Sequence, residues 1–249
     1  MIIPLHLSRG TLLNRPNRFV FIGKWRGKER RWHCPVTGSI GGVKDFSGVP
    51  CLVTPRTPGA DRTTEGTVEA ISLDDGRSWI GINQNRINGW VEQLLLANAL
   101  PDLIPCSGAA VHHEVRVGNS RLDLAVEREG RTTYLEIKTP MHDLFLPGTD
   151  AYRHQPTYPQ FFERLIRHYT TLGELAAAGH RTVVLLCFLY DAPPFVPPER
   201  NRWNGPTMDK IAVAGTAGVE NWQLNLAISP RRLRSTQLHR LNLLASQNS

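Results

Sequence analysis

The chain reads as a mixed α/β protein, with a small all-β part first and a part that combines helices with a central sheet after it. Three observations carry this. About five short strand-like runs fall in roughly the first third of the chain, the density of a small barrel. From residue 89 onward, stretches with apolar residues every three to four positions take over. Between those stretches lie strands that alternate apolar and polar side chains, two of them joined by a tight turn.

In the first part, residues 19–22, 50–54, 67–72 and 78–82 are apolar or alternating, and Thr37-Gly38, Thr57-Pro58-Gly59 and Asp74-Asp75-Gly76 punctuate them. The pattern allows an OB or an SH3-like barrel equally. Residues 10–83 are assigned to this barrel, 84–230 to a second domain and 231–249 to a basic tail. Residues 83–88 form the hinge, where Asn88 is placed to cap a helix over 89–100 that Pro101 ends. Its apolar positions 91, 94, 95 and 99 make one stripe.

Strands are expected over 111–117, 121–127 and 133–139, with Gly118-Asn119 and Glu129-Gly130 as the connecting turns. Residues 141–159 form a Pro- and Gly-rich loop whose His142, Asp143, Asp150 and His154 read as solvated before they read as ligands. A helix over 160–178 carries Phe161, Leu165, Tyr169, Leu172 and Leu175 on one face and stops at Gly179. A buried strand over 183–190, a Pro-rich linker over 192–198, a helix over 208–218 and a strand over 222–228 complete the second domain.

The chemistry concentrates in the hairpin. Strict alternation puts Leu122, Leu124 and Val126 on one face and Asp123 on the other, while Glu136 and Lys138 lie opposite Leu135 and Ile137. Closing the hairpin brings Asp123, Glu136 and Lys138 onto one polar patch, and Glu114 on the preceding strand is placed to join it. Two or three carboxylates are hard oxygen ligands suited to Mg²⁺ or Mn²⁺. A neighbouring ammonium suits the stabilisation of charge on a phosphoryl group. By itself the pattern also describes an ordinary exposed hairpin.

Composition points the same way. The formal charge is +7 and most of the cations are Arg, the better bidentate partner for phosphate; a GC-rich genome would give the same bias. Arg15, Arg18, Lys24, Arg26, Lys28, Arg30 and Arg31 load the N-terminal region. Trp25 and Trp32 flank this run, so Arg18, Lys24, Trp25, Arg26 and Trp32 form the candidate surface for a nucleic acid. Arg121 and Arg164 are candidate phosphate contacts beside the hairpin. No run approaches the ~20 apolar residues of a membrane span, and residues 1–7 lack a secretory pattern, so a cytoplasmic location without a membrane partner is expected. Four Cys without a CxxC pair argue for reduced thiols and against a zinc ribbon. A homodimer is compatible with the chain.

The run Asn119-Ser120-Arg121-Leu122-Asp123-Leu124 followed by Tyr134-Leu135-Glu136-Ile137-Lys138 resembles the SRFDF…EVK signature of the sugar fermentation stimulation protein A (SfsA) family. Asn14-Arg15-Pro16-Asn17-Arg18-Phe19 is similar to that family's R-x-N-R-F start, and Trp32-His33-Cys34-Pro35-Val36-Thr37-Gly38 to its HCPNTG segment. The resemblance runs from about Leu12 past Tyr190. It implies an OB-like barrel followed by a PD-(D/E)XK, restriction-endonuclease-like domain with a mixed sheet. It also implies a Mg²⁺- or Mn²⁺-dependent nuclease acting on DNA or RNA, with Asp123, Glu136 and Lys138 as the triad and Glu114 as the upstream acid. Asp123, Glu136 and Glu114 would hold the metal. Glu163-Arg164 and His168 resemble the family's T-E-R-G-x-K-H stretch, which makes His168 a catalytic candidate. Gln160, Phe162, Leu165 and Val36 depart from the family pattern, and Gln160 removes a carboxylate. The alternative is a DNA-binding regulator of sugar metabolism genes without catalysis.

Overall fold

The computed structural model describes residues 1–56, 63–141, 159–197, 200–202 and 204–243, with backbone alone for 159–163. The expected ligands His142, Asp143, Asp150 and His154, and the side chain of Gln160, lie outside the described residues.

The first sheet contains β2 (Ser8–Asn17), β3 (Val20–Trp25), β4 (Lys28–His33), β5 (Pro50–Pro55), β6 (Gly66–Ile71) and β7 (Ile80–Gly81). Their order is β4-β3-β2-β5-β6-β7, and a further pairing of β4 with β6 closes five strands into a barrel. The apolar runs of the sequence are β3, β5, β6 and β7. The other two hid their periodicity. β2 carries Pro16 and two register shifts against β3, and β4 is the charge-dense Lys-Glu-Arg-Arg-Trp-His run.

Within β4, Trp32 turns inward. It is 1% exposed, and its ring lies against Gly10 and Gly23, where an added Cβ on Gly23 would stand 2.2 Å from the ring. Glycine is required there by close approach, and Trp32 is a core residue of the barrel. The expectation that Trp32 offers a stacking face to nucleic acid is therefore corrected, because a ring packed on β2 and β3 has no face left to stack.

The second sheet has seven strands in the order β1-β13-β12-β11-β10-β9-β8. These are β1 (Ile2–Pro4), β8 (Ala110–Val117), β9 (Ser120–Arg128), β10 (Arg131–Lys138), β11 (Arg181–Phe188), β12 (Glu220–Ile228) and β13 (Arg232–Leu241). β10, β11 and β12 run parallel, and the outer pairs are antiparallel. One correction and one addition follow. The segment expected as a basic tail is, over Arg232–Leu241, strand β13, whose Leu233 is fully buried. The N-terminal residues Ile2 to Pro4 pair with it and so belong to this sheet.

Among the described residues, three α-helices cover the sheet: α1 (Ile87–Leu96), α2 (Pro159–Ala177) and α3 (Gly205–Thr216). Val183, Leu185 and Cys187 of β11 join a core with Ile87, Trp90 and Leu94 of α1. Val184, Leu186 and Phe188 join another with Tyr169 and Leu172 of α2 and Ala214 of α3. A strand buried on both faces is what a parallel centre demands. Along α2, Tyr169 Oη donates to Asn221 Oδ1 of β12 at 2.7 Å, and Thr171 shares a 2.7 Å hydrogen bond with Ser120 of β9. These two bonds fix the rotation of α2 on the sheet. The Pro-rich segment after β11 is fastened as well: Gln223 and Asn225 donate to the carbonyls of Pro193 and Ala192.

Candidate active site

The β9–β10 hairpin closes as expected, through Glu129 and Gly130, which both adopt positive φ (52° and 72°), the conformation a tight two-residue turn needs. Its pairing runs from Arg131↔Arg128 to Leu135↔Leu124 and stops there. Beyond that point the Asp123 carboxylate takes over: Ile137 N–H donates to Asp123 Oδ2 at 2.7 Å. Alternation along β9 breaks at the same place. Leu124 and Val126 pack on the α1 side, whereas Leu122 joins the core under α2. The expected common face of Leu122, Leu124 and Val126 is thus corrected, and the change of facing at Asp123 is what lets its side chain cap the end of β10.

Glu136 and Lys138 share the face of β10 that α2 covers. Glu136 is 1% exposed, and its Oε1 accepts hydrogen bonds from both Lys138 Nζ and His168 Nδ1. Lys138 Nζ also lies 3.3 Å from His168 Nδ1. The bonds of Tyr169 and Thr171 to the sheet hold His168 against this carboxylate. Glu136 Oε2 is buried and has no hydrogen-bond partner among the described residues.

The electrostatics of the two carboxylates differ. Burial raises the Asp123 pKa and the Glu136 charge raises it further; the Ile137 N–H, the Asn88 amide and Lys138 pull it back only in part. Burial also pushes Glu136 up, but the His168 hydrogen bond and the Lys138 ammonium outweigh it and hold that carboxyl below its ordinary value. The site therefore pairs a well-compensated carboxylate with an under-compensated one.

The remaining candidates fall in three places. Glu114 stands across from Asp123, between the paired positions His113↔Leu124 and Val115↔Leu122. Its backbone is left-handed (φ 50°), its side chain is exposed, and its carboxylate lies 3.4 Å from Arg121 Nη1. The expectation that Glu114 joins the cluster is corrected: its left-handed backbone re-aims the side chain, and it engages Arg121 instead. No group of three His, Cys, Asp or Glu suited to a metal forms among the described residues. Arg164 is exposed on α2, one turn before His168 and on the same flank. In the barrel, Arg18 and Lys24 are exposed, Arg18 lies over Phe19 at 4.7 Å, and Arg26 lies 4.7 Å over the half-buried Trp25 ring.

Asn88, which with Asn83 falls near paired Asn positions of the family the sequence resembles, reads from the sequence as a helix-start residue that needs no catalytic role. It was expected to cap a helix starting at 89, but α1 begins at Ile87, and its N-cap residue, Arg86, makes no side-chain capping hydrogen bond among the described residues. Asn88 Nδ2 instead donates to Asp123 Oδ1 at 2.9 Å. An amide at a helix start satisfies capping rules so readily that a contact across 35 positions leaves no trace in local pattern.

Comparison with known proteins adds a family to this geometry. Residues 85–232 match the family model described as "Sugar fermentation stimulation protein RE domain". The chain is 33% identical to the Sugar fermentation stimulation protein homolog of Alcanivorax borkumensis over 187 residues, 73% of this chain and 74% of that protein. The homolog of Azotobacter vinelandii is 30% identical over 231 residues, 92% of this chain and 94% of its own length. Among solved structures, that of Pyrococcus furiosus SfsA in complex with Ca²⁺ superposes with a TM-score of 0.70 at 24% identity, covering 93% of this chain and 94% of that one. The closed barrel, the mixed seven-stranded sheet and the matched segments have one common source: the chain belongs to the sugar fermentation stimulation protein (SfsA) family.

Proposed function

We propose that this protein is a metal-dependent nuclease that hydrolyses phosphodiester bonds in DNA or RNA and holds its substrate partly through the basic barrel. The family and fold support a nucleic-acid-related protein; the step to catalysis rests on the site. The observation that carries it is Glu136 Oε2, a buried carboxylate oxygen without a hydrogen-bond partner among the described residues, beside an Asp123 whose charge burial and Glu136 disfavour. Buried unpaired polar atoms are costly. A buried carboxylate with one oxygen left over, next to a second whose charge is under-compensated, fits a hard divalent cation such as Mg²⁺ or Mn²⁺. The Ca²⁺ complex of the Pyrococcus furiosus relative is in keeping with this.

In this reading Asp123 and Glu136 hold the ion. When bound, the ion would supply neutralisation of phosphoryl charge and a more acidic water. The rest falls to the chain. His168 and Lys138 fix Glu136 through Oε1 and leave Oε2 for the ion. Lys138, with its side chain 19% exposed, can meet the scissile phosphate or orient the attacking water. Arg164, exposed one turn away on α2, would bind a neighbouring phosphate.

A second reading, binding without catalysis, draws on the fact that Lys138 and His168 already compensate Glu136 without a metal. Incubating the purified protein with single- and double-stranded DNA and RNA in Mg²⁺, Mn²⁺ or chelator separates the two. Cleavage that needs the metal and vanishes in Asp123→Ala and Glu136→Ala supports the nuclease. Tight salt-sensitive binding without cleavage supports the binding module.

A further inference from the structure

The turn that leads from the barrel into α1 holds a buried carboxylate that the reading above does not use. Glu69 of β6 is 3% exposed. Its Oε1 accepts from Thr54 Oγ1 at 2.7 Å and lies 3.7 Å from Arg86 Nη1. Its Oε2 accepts from Asn83 Nδ2 at 2.8 Å, and its carbonyl accepts from Ile82 N at 2.8 Å. A carboxylate taken out of water holds its place only when such donors surround it, and all of these belong to the barrel or to the segment that follows it.

That segment is a single 3₁₀ turn, Gln84–Arg86, fixed on several sides. Gln84 Nε2 donates to the carbonyl of Thr139, the residue after Lys138, at 2.9 Å. The Arg86 guanidinium lies over the Trp90 ring of α1 at 5.0 Å. Two residues beyond Arg86, Asn88 reaches Asp123. The two oxygens of Asp123 are each engaged by one N–H, from Asn88 and from Ile137. Each retains a second lone pair, and these two bonds set its direction.

We propose that Asn88 is a positioning residue for Asp123, and that the barrel, through Glu69, sets where Asn88 stands. Where this concerns cation binding it rests on the metal-dependent reading above; where it concerns the orientation of Asp123 it does not. The barrel is then a structural component of the site as well as a surface for substrate. A purely structural role for Glu69 would lower stability and loosen the sheet generally. The positioning role acts on one amide, that of Ile137, because Asp123 is its acceptor.

The test uses the full chain, with backbone amide exchange followed by NMR in chelator and Mn²⁺ affinity followed by calorimetry. In Asn88→Ala, the Ile137 amide is expected to exchange about tenfold faster, the scale of one lost hydrogen bond to a charged group, while Leu135 on the same strand is unchanged. Mn²⁺ affinity is expected to fall by a similar factor. Glu69→Gln should give the same two changes in smaller measure; if it does not fold, Arg86→Met breaks the same link at a half-exposed position. Unchanged exchange at Ile137 in Asn88→Ala, or faster exchange throughout the sheet, overturns the proposal. A response to Asn88→Ala but not to Glu69→Gln or Arg86→Met removes the barrel's part in it. Failure of the wild-type chain to bind Mn²⁺ would refute the metal-dependent reading, and the Ile137 amide would still decide the role of Asn88.

Discussion

Replacing Asp123 by Asn should make the metal-free protein more stable while abolishing any metal-dependent activity. The raised pKa of Asp123 means that burial and the Glu136 charge outweigh the two N–H donors and Lys138, so at neutral pH its negative charge opposes folding. The linkage follows: stability held while Asp123 is neutral is full below its unfolded pKa, ~3.9, and is lost as pH rises through its higher folded value. Asn removes the charge and keeps the shape. Its carbonyl can accept from Ile137 N–H, and Asn88 can rotate its amide to present oxygen to the new NH₂. Each hydrogen bond weakens by ~1 kcal/mol on losing its charged partner, against a desolvation penalty of several kcal/mol for a buried ion. A net gain of ~1 kcal/mol is expected, in the range usual for substitutions that relieve functional sites. For a chain of this size that raises Tm by about 2–4 °C. Thermal and urea unfolding in chelator at pH 7 measure it, with a second series near pH 4 where the difference should shrink as Asp123 protonates. Saturating Mn²⁺ should stabilise the wild-type chain by mass action and leave the variant unmoved. Loss of ~1 kcal/mol or more in the variant at pH 7 would refute the account of Asp123 as the under-compensated carboxylate.

Glu136→Gln should behave oppositely, losing ~3–5 kcal/mol because Lys138 and His168 are left around a site without its negative charge; urea unfolding of the two variants side by side shows the contrast. Gly23→Ala should destabilise by ~3 kcal/mol, the upper end for overpacking, since its Cβ meets both the Trp32 ring at 2.2 Å and the carbonyl of Thr11 at 2.6 Å. Nucleic-acid affinity should divide the two tryptophans. Trp25→Ala is expected to weaken single-strand binding by ~1–3 kcal/mol in a filter or fluorescence titration, and Trp32→Phe to lower Tm with affinity unchanged. All four Cys are buried free thiols, Cys51 with its pKa pushed up to about 12 by burial. Thiol labelling should accordingly be slow in the folded protein and rise together with global unfolding.

How much of this was legible from sequence depended on whether the signal was local. Apolar runs announced β3, β5 and β6, and the spacing of Tyr169, Leu172 and Leu175 announced α2, because burial on one face imposes a period. β4 was not legible, since exposed Lys and Arg dominate it and only Trp32 marks the inner face. β13 failed for a similar reason: it pairs with β12 on one side and short β1 on the other, and it alternates too weakly to rise above a polar tail. In the site, Asp123, Glu136 and Lys138 could be placed together by hairpin parity. The kinks at Glu114 and Asp123 could not, because each departs from the regular alternation on which parity rests. Contacts such as Asn88 to Asp123 and Glu69 to Asn83 join distant segments through single hydrogen bonds, for which sequence has no period.

The pairing of β1 with β13 means that the chain leaves the large sheet at Pro4, builds the barrel, and returns to α1 after Ile82. The barrel is thus inserted into the larger fold and held at both ends, unlike a module hung on one linker. Two attachments suppress the swivelling that one would permit. If the nuclease proposal holds, a strand gripped by the barrel would be offered to Asp123 and Glu136 at a constant offset, so the distance from grip to cut would be a fixed number of nucleotides, in the manner of a ruler.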